Sequence, residues 1–174
     1  MLHKNKLKIM GLFFEEPTRN FQLREISRLS NIAVTSTKKY LKELLNEELI
    51  TKNTKTLYPS YNANESNRMF KVYKQQIMIF KIYLSGLIDY LEETSLPNCI
   101  ILFGSVRKGE YTKKSDIDIF IQSSKHRLDL QKFEKYLNHE INVLFEADLK
   151  DLSKELFNNI INGIILFGYL KLKR

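Results

Sequence analysis

Between Asp116 and Ile121 acidic and apolar residues alternate, in the run Asp-Ile-Asp-Ile-Phe-Ile. A period of two belongs to a strand, so Asp116 and Asp118 face one side while Ile117, Ile119 and Ile121 face the other. Two carboxylates held side by side repel each other unless something neutralises them. A divalent cation does so, because Mg²⁺ is commonly held by one or two carboxylates together with phosphate oxygens. Alone, such a pair is weak evidence, since a surface turn or strand edge explains most of them. Its setting adds weight: Cys99-Ile-Ile-Leu-Phe103 is a short apolar run between Pro97-Asn98 and Gly104-Ser105, the pattern of a buried strand ending in a turn.

The chain around these strands has a globular composition. With 174 residues, 43% apolar, and only 6 Gly and 3 Pro, it is neither disordered nor collagen-like, and its length suits one medium domain or two small ones. No run approaches the roughly 18 apolar residues of a membrane span, and Lys4, Lys6 and Lys8 have no apolar run behind them. The expectation is a soluble cytoplasmic protein. The single cysteine, Cys99, excludes an internal disulfide and cannot by itself build a zinc site; it reads as a small core residue. His3, His126 and His139 lack metal-ligand spacing, no Ser-His-Asp order is supported, and no dinucleotide fingerprint is present. Gly163 and Gly168 read as turn and close-packing positions.

Charge is unevenly spread. Residues 1–75 hold 14 Lys plus Arg against 7 Asp plus Glu, a balance of +7, whereas residues 76–174 are nearly neutral at +1. A concentrated positive field attracts phosphates through counterion release, so either a polyanion partner or plain solvated surface accounts for it. Helical spacing runs from Leu2 to Phe14 and closes at Pro17. Phe21, Leu23, Ile26 and Leu29 form a second helical face, and a third helix after Asn31-Ile32-Ala33 carries Tyr40, Leu41, Leu44, Leu45 and Leu49. A ribbon from Leu49 to Tyr61 follows, turning at Asn53-Thr54-Lys55.

The stretch Leu23–Ile50 resembles winged-helix, helix-turn-helix regulators over about residues 5–65. The resemblance implies a third helix that enters the major groove of double-stranded DNA and a wing that tracks the backbone. By position the DNA-facing residues are Thr35, Ser36, Lys38 and Lys39, with Lys52 and Lys55 on the wing, while Glu43, Glu47 and Glu48 face away. Ala33 replaces the family's usual small polar residue at the start of the third helix and forfeits a side-chain N-cap. A winged helix used only for protein contacts is the alternative.

From Asn67 to Glu93 there is no Pro, and Phe70, Tyr73, Ile77, Phe80, Leu84, Leu87 and Leu91 keep an unbroken three-four spacing, which predicts one long helix. Because winged-helix regulators are commonly dimers, the resemblance implies a helix whose first part joins a homodimer and whose last part packs on the next domain; a helix packed only on its own domain is the alternative. Gly86 inside it marks a bend or a close contact.

In the C-terminal part, Gly104-Ser105, ten residues, then Asp116-Ile117-Asp118 resembles the signature of minimal nucleotidyltransferases of the polymerase-beta superfamily. The likeness extends over about residues 76–172, through a helix at Leu128–Leu137, a strand at Ile141–Phe145 and a helix at Ser153–Asn162. It implies that Gly104 admits nucleotide phosphates, that Ser105 hydrogen-bonds them, and that Asp116 and Asp118 bind Mg²⁺. The substrate would be ATP or another nucleoside triphosphate. Lys108 sits where the family often has Arg, and Arg107, Lys113 and Lys114 are nearby cations. The family's third carboxylate is missing: Asn142 holds its place, and Asn brings neither negative charge nor a base. Glu140 is a candidate substitute.

The fold expected is α+β: a winged helix over 1–66, a connecting helix over 67–94, and a nucleotidyltransferase α/β fold with a small mixed sheet over 95–174. The little chain left for gripping a polynucleotide favours a protein hydroxyl as acceptor, and the resemblance includes antitoxins that modify a HEPN-type toxin. Two functions stand side by side. One is nucleotidyl transfer coupled to DNA binding; the other is a DNA-binding regulator whose second domain senses nucleotide or serves as a scaffold.

Overall fold

A computed structural model describes residues 4–55 and 57–171, so Leu2 and His3 lie outside the described residues. The chain is α+β and divides into two compact units, Met1–Tyr73 and Lys74–Arg174.

The first unit contains α1 (Lys4–Glu15), β1 (Phe21–Gln22), α2 (Leu23–Ser30), α3 (Val34–Asn46), β2 (Ile50–Asn53) and β3 (Ser60–Ala63). Its antiparallel sheet has the order β1-β3-β2. Phe21 belongs to β1, opposite Tyr61, and not to the second helix as its spacing suggested. The reason is local: Glu25 accepts from the Gln22 amide, so the helix starts only at Leu23 and Phe21 is left extended. Leu29, expected on the buried face, is exposed. Ile9, Met10, Phe13, Phe14, Ile26, Leu41 and Leu44 make the core. Ala33 indeed gives α3 no side-chain cap, and the buried Thr37 hydroxyl instead donates back to the Ala33 carbonyl at 3.1 Å. Lys6 is nearly buried and pairs with Glu47 at 2.5 Å and Glu43 at 3.8 Å, which occupies two of the three acidic residues at the end of α3. The turn between β2 and β3 is longer than expected, because pairing resumes only at Ser60.

The chain passes into the second unit within α4 (Arg68–Leu84). The single long helix expected from the spacing is two helices, α4 and α5 (Leu87–Ser95). Gly86 adopts φ +74°, and the Ser85 hydroxyl donates to the Ile82 carbonyl and accepts from the Leu87 amide. Together these break the hydrogen-bond ladder despite the continuous apolar spacing. There follow β4 (Cys99–Phe103), α6 (Gly104–Lys108), β5 (Ile117–Ile121), α7 (Gln131–Leu137), β6 (Ile141–Phe145), a 3-10 turn (Leu149–Asp151), α8 (Lys154–Ile161) and β7 (Ile164–Gly168). Helix α7 thus starts three residues later than the apolar pattern indicated.

The second sheet has the order β6-β5-β4-β7 and is mixed: β5 and β6 run parallel, the other pairs antiparallel. Both faces are covered. On one, Ile100, Leu102, Ile117, Ile119 and Ile121 pack with Met78, Ile82, Leu87 and Leu91 from α4 and α5 and with Phe133 and Leu137 from α7. On the other, Cys99, Ile101 and Phe120 pack with Ile160 of α8. Close packing fixes two glycines at the ends of β7: a Cβ on Gly163 would lie 2.2 Å from Ile101 Cγ2, and one on Gly168 2.1 Å from the Asn98 carbonyl oxygen. Cys99 is free and fully buried, and burial pushes its thiol up to about 11. Among the described residues no helix is long and apolar enough to cross a membrane.

Candidate functional site

Strand register builds the candidate site. Phe103 lies opposite Asp118 across the antiparallel β4–β5 pair, so Gly104, the next residue, meets the Asp118 side chain. Gly104 has φ +69°, and a Cβ there would lie 2.0 Å from Asp118 Oδ2 and 2.9 Å from its Cγ. Glycine is therefore required twice, for the backbone turn and for the carboxylate packed on it. In the parallel β5–β6 pair Asp118 stands beside Asn142. The Asn142 amide donates to Asp116 Oδ2 at 2.9 Å.

Asp116 immediately precedes β5, and Asp118 is its second residue. Alternation leaves both carboxylates on the face whose next member, Phe120, is buried beside α8. Burial pushes the Asp118 carboxyl above the ordinary carboxylate range; the Asn142 amide opposes the rise, and the Asp116 charge adds to it. A half-buried carboxylate raised by burial and a like charge is a fitting place for a cation, so the residues present suit a divalent metal. Among the described residues no group of three His, Cys, Asp or Glu side chains could hold a metal ion. Of the residues here, the aspartate pair would hold such an ion, with Asn142 as a neutral neighbour.

The other residues singled out in the sequence fall around this pair. Ser105 lies in the first turn of α6, and Lys108 is exposed at its end, where Gly109 closes the helix with φ +68°. Glu140 comes one residue before β6, is exposed, and accepts from the Ile117 amide through its backbone carbonyl. Its side chain lines a cleft of about 380 Å³ with Asp116, Lys113, Lys114 and Glu134. The spacing gave no hint of Tyr111, which is buried against both Lys74 and His139. His139, which lacks metal-ligand spacing with the other histidines, donates from Nδ1 to the Ser115 carbonyl at 2.7 Å.

In the first unit, Thr35, Lys38, Lys39 and Lys52 come together around a cleft of about 440 Å³ between α3 and β2. Lys42 joins them, about one helical turn along from both Lys39 and Lys38, and Tyr61 forms part of the wall. Ser36 and Lys55 do not line it. The Lys55 amide instead closes a turn onto the Asn53 side chain at 2.9 Å.

Residues 84–166, just under half of the chain, match the family model of the nucleotidyltransferase domain. The match begins at the end of α4, covers β4, α6 and β5 with both aspartates, and ends in β7. It supports placing this segment in the nucleotidyltransferase superfamily, with nucleotidyl transfer as the general chemistry and a nucleoside triphosphate with a divalent metal as the general ligands. No curated protein and no solved structure matches the chain.

Proposed function

We propose that the second unit moves a nucleoside monophosphate from ATP to an acceptor hydroxyl on a protein, and that the first unit is a winged helix that binds double-stranded DNA. The observation carrying the first half is the packing of Asp118 on Gly104 with Asp116 bridged to Asn142. The carboxylates of Asp116 and Asp118 would hold Mg²⁺, which supplies charge neutralisation at the triphosphate and a fixed orientation of the α-phosphorus. The side chain of Ser105 and the open backbone at Gly104 would bind the terminal phosphates. Lys108, exposed at the end of α6, adds positive charge. In the transfer, the acceptor oxygen bonds to the α-phosphorus, the bond to the bridging oxygen breaks, and pyrophosphate leaves. Asn142 cannot take the acceptor proton; it holds Asp116, and its amide opposes the rise of the Asp118 carboxyl. The acceptor proton would pass to Glu140 or to solvent.

The basic cleft of α3 and β2 supports the DNA half: Lys38, Lys39, Lys42 and Lys52 surround one concavity. Thr35 beside them is short enough to approach base edges. A protein acceptor such as a HEPN-type toxin and a homodimer complete the proposal; Phe80 and Leu84, exposed on α4, offer apolar surface for the latter. The Asn142 bond to Asp116 favours a second reading, in which the second unit holds nucleotide without turning it over.

A titration followed by a labelling assay separates them. A non-hydrolysable ATP analogue with Mg²⁺ should bind wild type and not the Asp116→Asn, Asp118→Asn double variant, and EDTA should abolish the binding. Labelled nucleotide incorporated into a cellular protein by wild type alone establishes transfer; binding without incorporation establishes the sensor, and no binding by the folded protein refutes both.

A further inference from the structure

Asp116 is fixed from a direction that the site chemistry does not use. The carbonyl of the preceding residue, Ser115, lies 2.7 Å from His139 Nδ1, and since a carbonyl can only accept, Nδ1 carries the proton. The amide of the following residue, Ile117, donates to the Glu140 carbonyl at 2.9 Å. The two peptide groups flanking Asp116 are therefore tied to adjacent residues of the α7–β6 junction. On its other side Ser115 closes a turn, accepting from the Thr112 amide through its hydroxyl at 2.9 Å.

His139 in turn is oriented by packing. Its ring meets Tyr111 edge to face, with centroids 5.5 Å apart and planes at 88°. The Lys74 ammonium lies 4.6 Å from the centre of the Tyr111 ring, and the Tyr111 hydroxyl donates to the Lys74 carbonyl at 3.4 Å. Nearby, the Gln75 amide donates to the Arg107 carbonyl, joining α4 to α6 as well. Lys74, Tyr111 and His139 are all at least 95% buried, so solvent does not loosen the stack. An ionisable residue in the second turn of α4 thus packs on an aromatic of the 109–115 loop, which in turn meets the histidine of the α7–β6 junction whose ring holds the residue before the first aspartate.

We propose that Tyr111 and His139, packed on Lys74, are positioning residues that set the backbone of Asp116 and thereby the geometry of the aspartate pair. The proposal rests on the nucleotide-binding reading above. Groups that orient a metal ligand typically change metal affinity by about 10- to 100-fold when removed. Substitutions separate the ring contact from the hydrogen bond. His139→Phe keeps an aromatic edge and loses the donor, His139→Gln restores an N–H donor without the ring, and Tyr111→Phe retains the ring contacts with both neighbours while Tyr111→Leu loses them.

The test titrates Mn²⁺ with the ATP analogue into each folded variant and, in parallel, follows amide exchange in residues 112–118 with neither ligand present. The expected result is Mn²⁺ binding weakened about tenfold or more and faster exchange at Asp116 and Ile117 in His139→Phe and Tyr111→Leu. Tyr111→Phe should stay within about twofold of wild type, and His139→Gln should recover part of the loss. A merely structural stack would instead make affinity follow the urea midpoint across all four variants, and that result overturns the proposal. So do unchanged affinity and exchange in His139→Phe. If wild type binds no Mn²⁺ and analogue, the nucleotide-binding reading fails separately, and unaltered exchange in the variants then removes the positioning role too.

Discussion

Two glycines with nearly the same backbone allow the cost of a turn to be separated from the cost of a displaced carboxylate. Gly86 has φ +74° and nothing within 4 Å of a Cβ built on it, whereas Gly104 has φ +69° and Asp118 Oδ2 at 2.0 Å. An L-residue in the left-handed region costs roughly 1–2 kcal/mol. For a urea slope of about 2 kcal/mol/M this lowers the midpoint of the second unit by about 0.5–1 M in either Gly→Ala variant. The extra clash at Gly104 falls mainly on the end of the Asp118 side chain, which can swing aside, so Gly104→Ala should cost little more stability than Gly86→Ala. What differs is the site. The displaced carboxylate should weaken binding of Mn²⁺ with an ATP analogue at least tenfold, or about 1.4 kcal/mol, in Gly104→Ala, with Gly86→Ala unchanged. Urea unfolding followed by circular dichroism, with calorimetric titration of the same samples, gives both numbers. Wild-type affinity in a folded Gly104→Ala protein would refute the reasoning, and so would an equal loss of affinity in both variants.

The remaining predictions concern the carboxylates and the basic cleft. Asn142→Asp replaces an amide donor by a third charge, so without metal the second unit should lose about 1 kcal/mol of stability through the lost bond to Asp116 and new repulsion, while Mn²⁺ affinity rises; a stability gain measured in EDTA would contradict this. Asp118 has a raised folded-state carboxyl, so as pH rises past the ordinary aspartate value the unfolded chain ionises first. Its contribution therefore favours the folded state at low pH and is lost as pH rises through the raised value, and metal-free Asp118→Asn should melt higher than wild type at pH 7 but not at pH 3. Duplex DNA affinity should fall with salt, and Lys38→Ala, Lys39→Ala, Lys42→Ala and Lys52→Ala should each reduce the log–log slope by about one, whereas Lys55→Ala, outside the cleft, should change it less.

The core strands were legible because their apolar runs are short and sharply bounded. Cys99–Phe103 and Ile141–Phe145 match the expected limits, and the alternation at Asp116–Ile121 correctly separated its isoleucines from its aspartates. Elements decided by one hydrogen bond were not legible. Phe21 extends the apolar series Leu23, Ile26 and Leu29, yet the capping bond at Glu25 leaves it in a strand; the apolar repeat across Ser85-Gly86 is continuous, yet Ser85 and Gly86 break the helix. In the candidate site the sequence brought out the aspartate pair and Gly104-Ser105. It could not bring out Tyr111 and His139, which meet across 28 residues of chain in a stack completed by Lys74. Lys42 was within reach, since it follows Lys38 by one helical turn.

The lone thiol at the start of β4 gives the protein an internal clock. Cys99 sits on a central strand with neighbours on both edges, has no exposed surface, and holds its proton to about pH 11. A thiol reagent at pH 8 therefore finds its target only during moments when that strand is out of its sheet. Because there is one cysteine in the sequence, each modified chain records a single such event at a known place. The mass of the intact protein, sampled over time, then reads the opening rate of the strand that leads directly into Gly104, without a dye, a tag or a substitution.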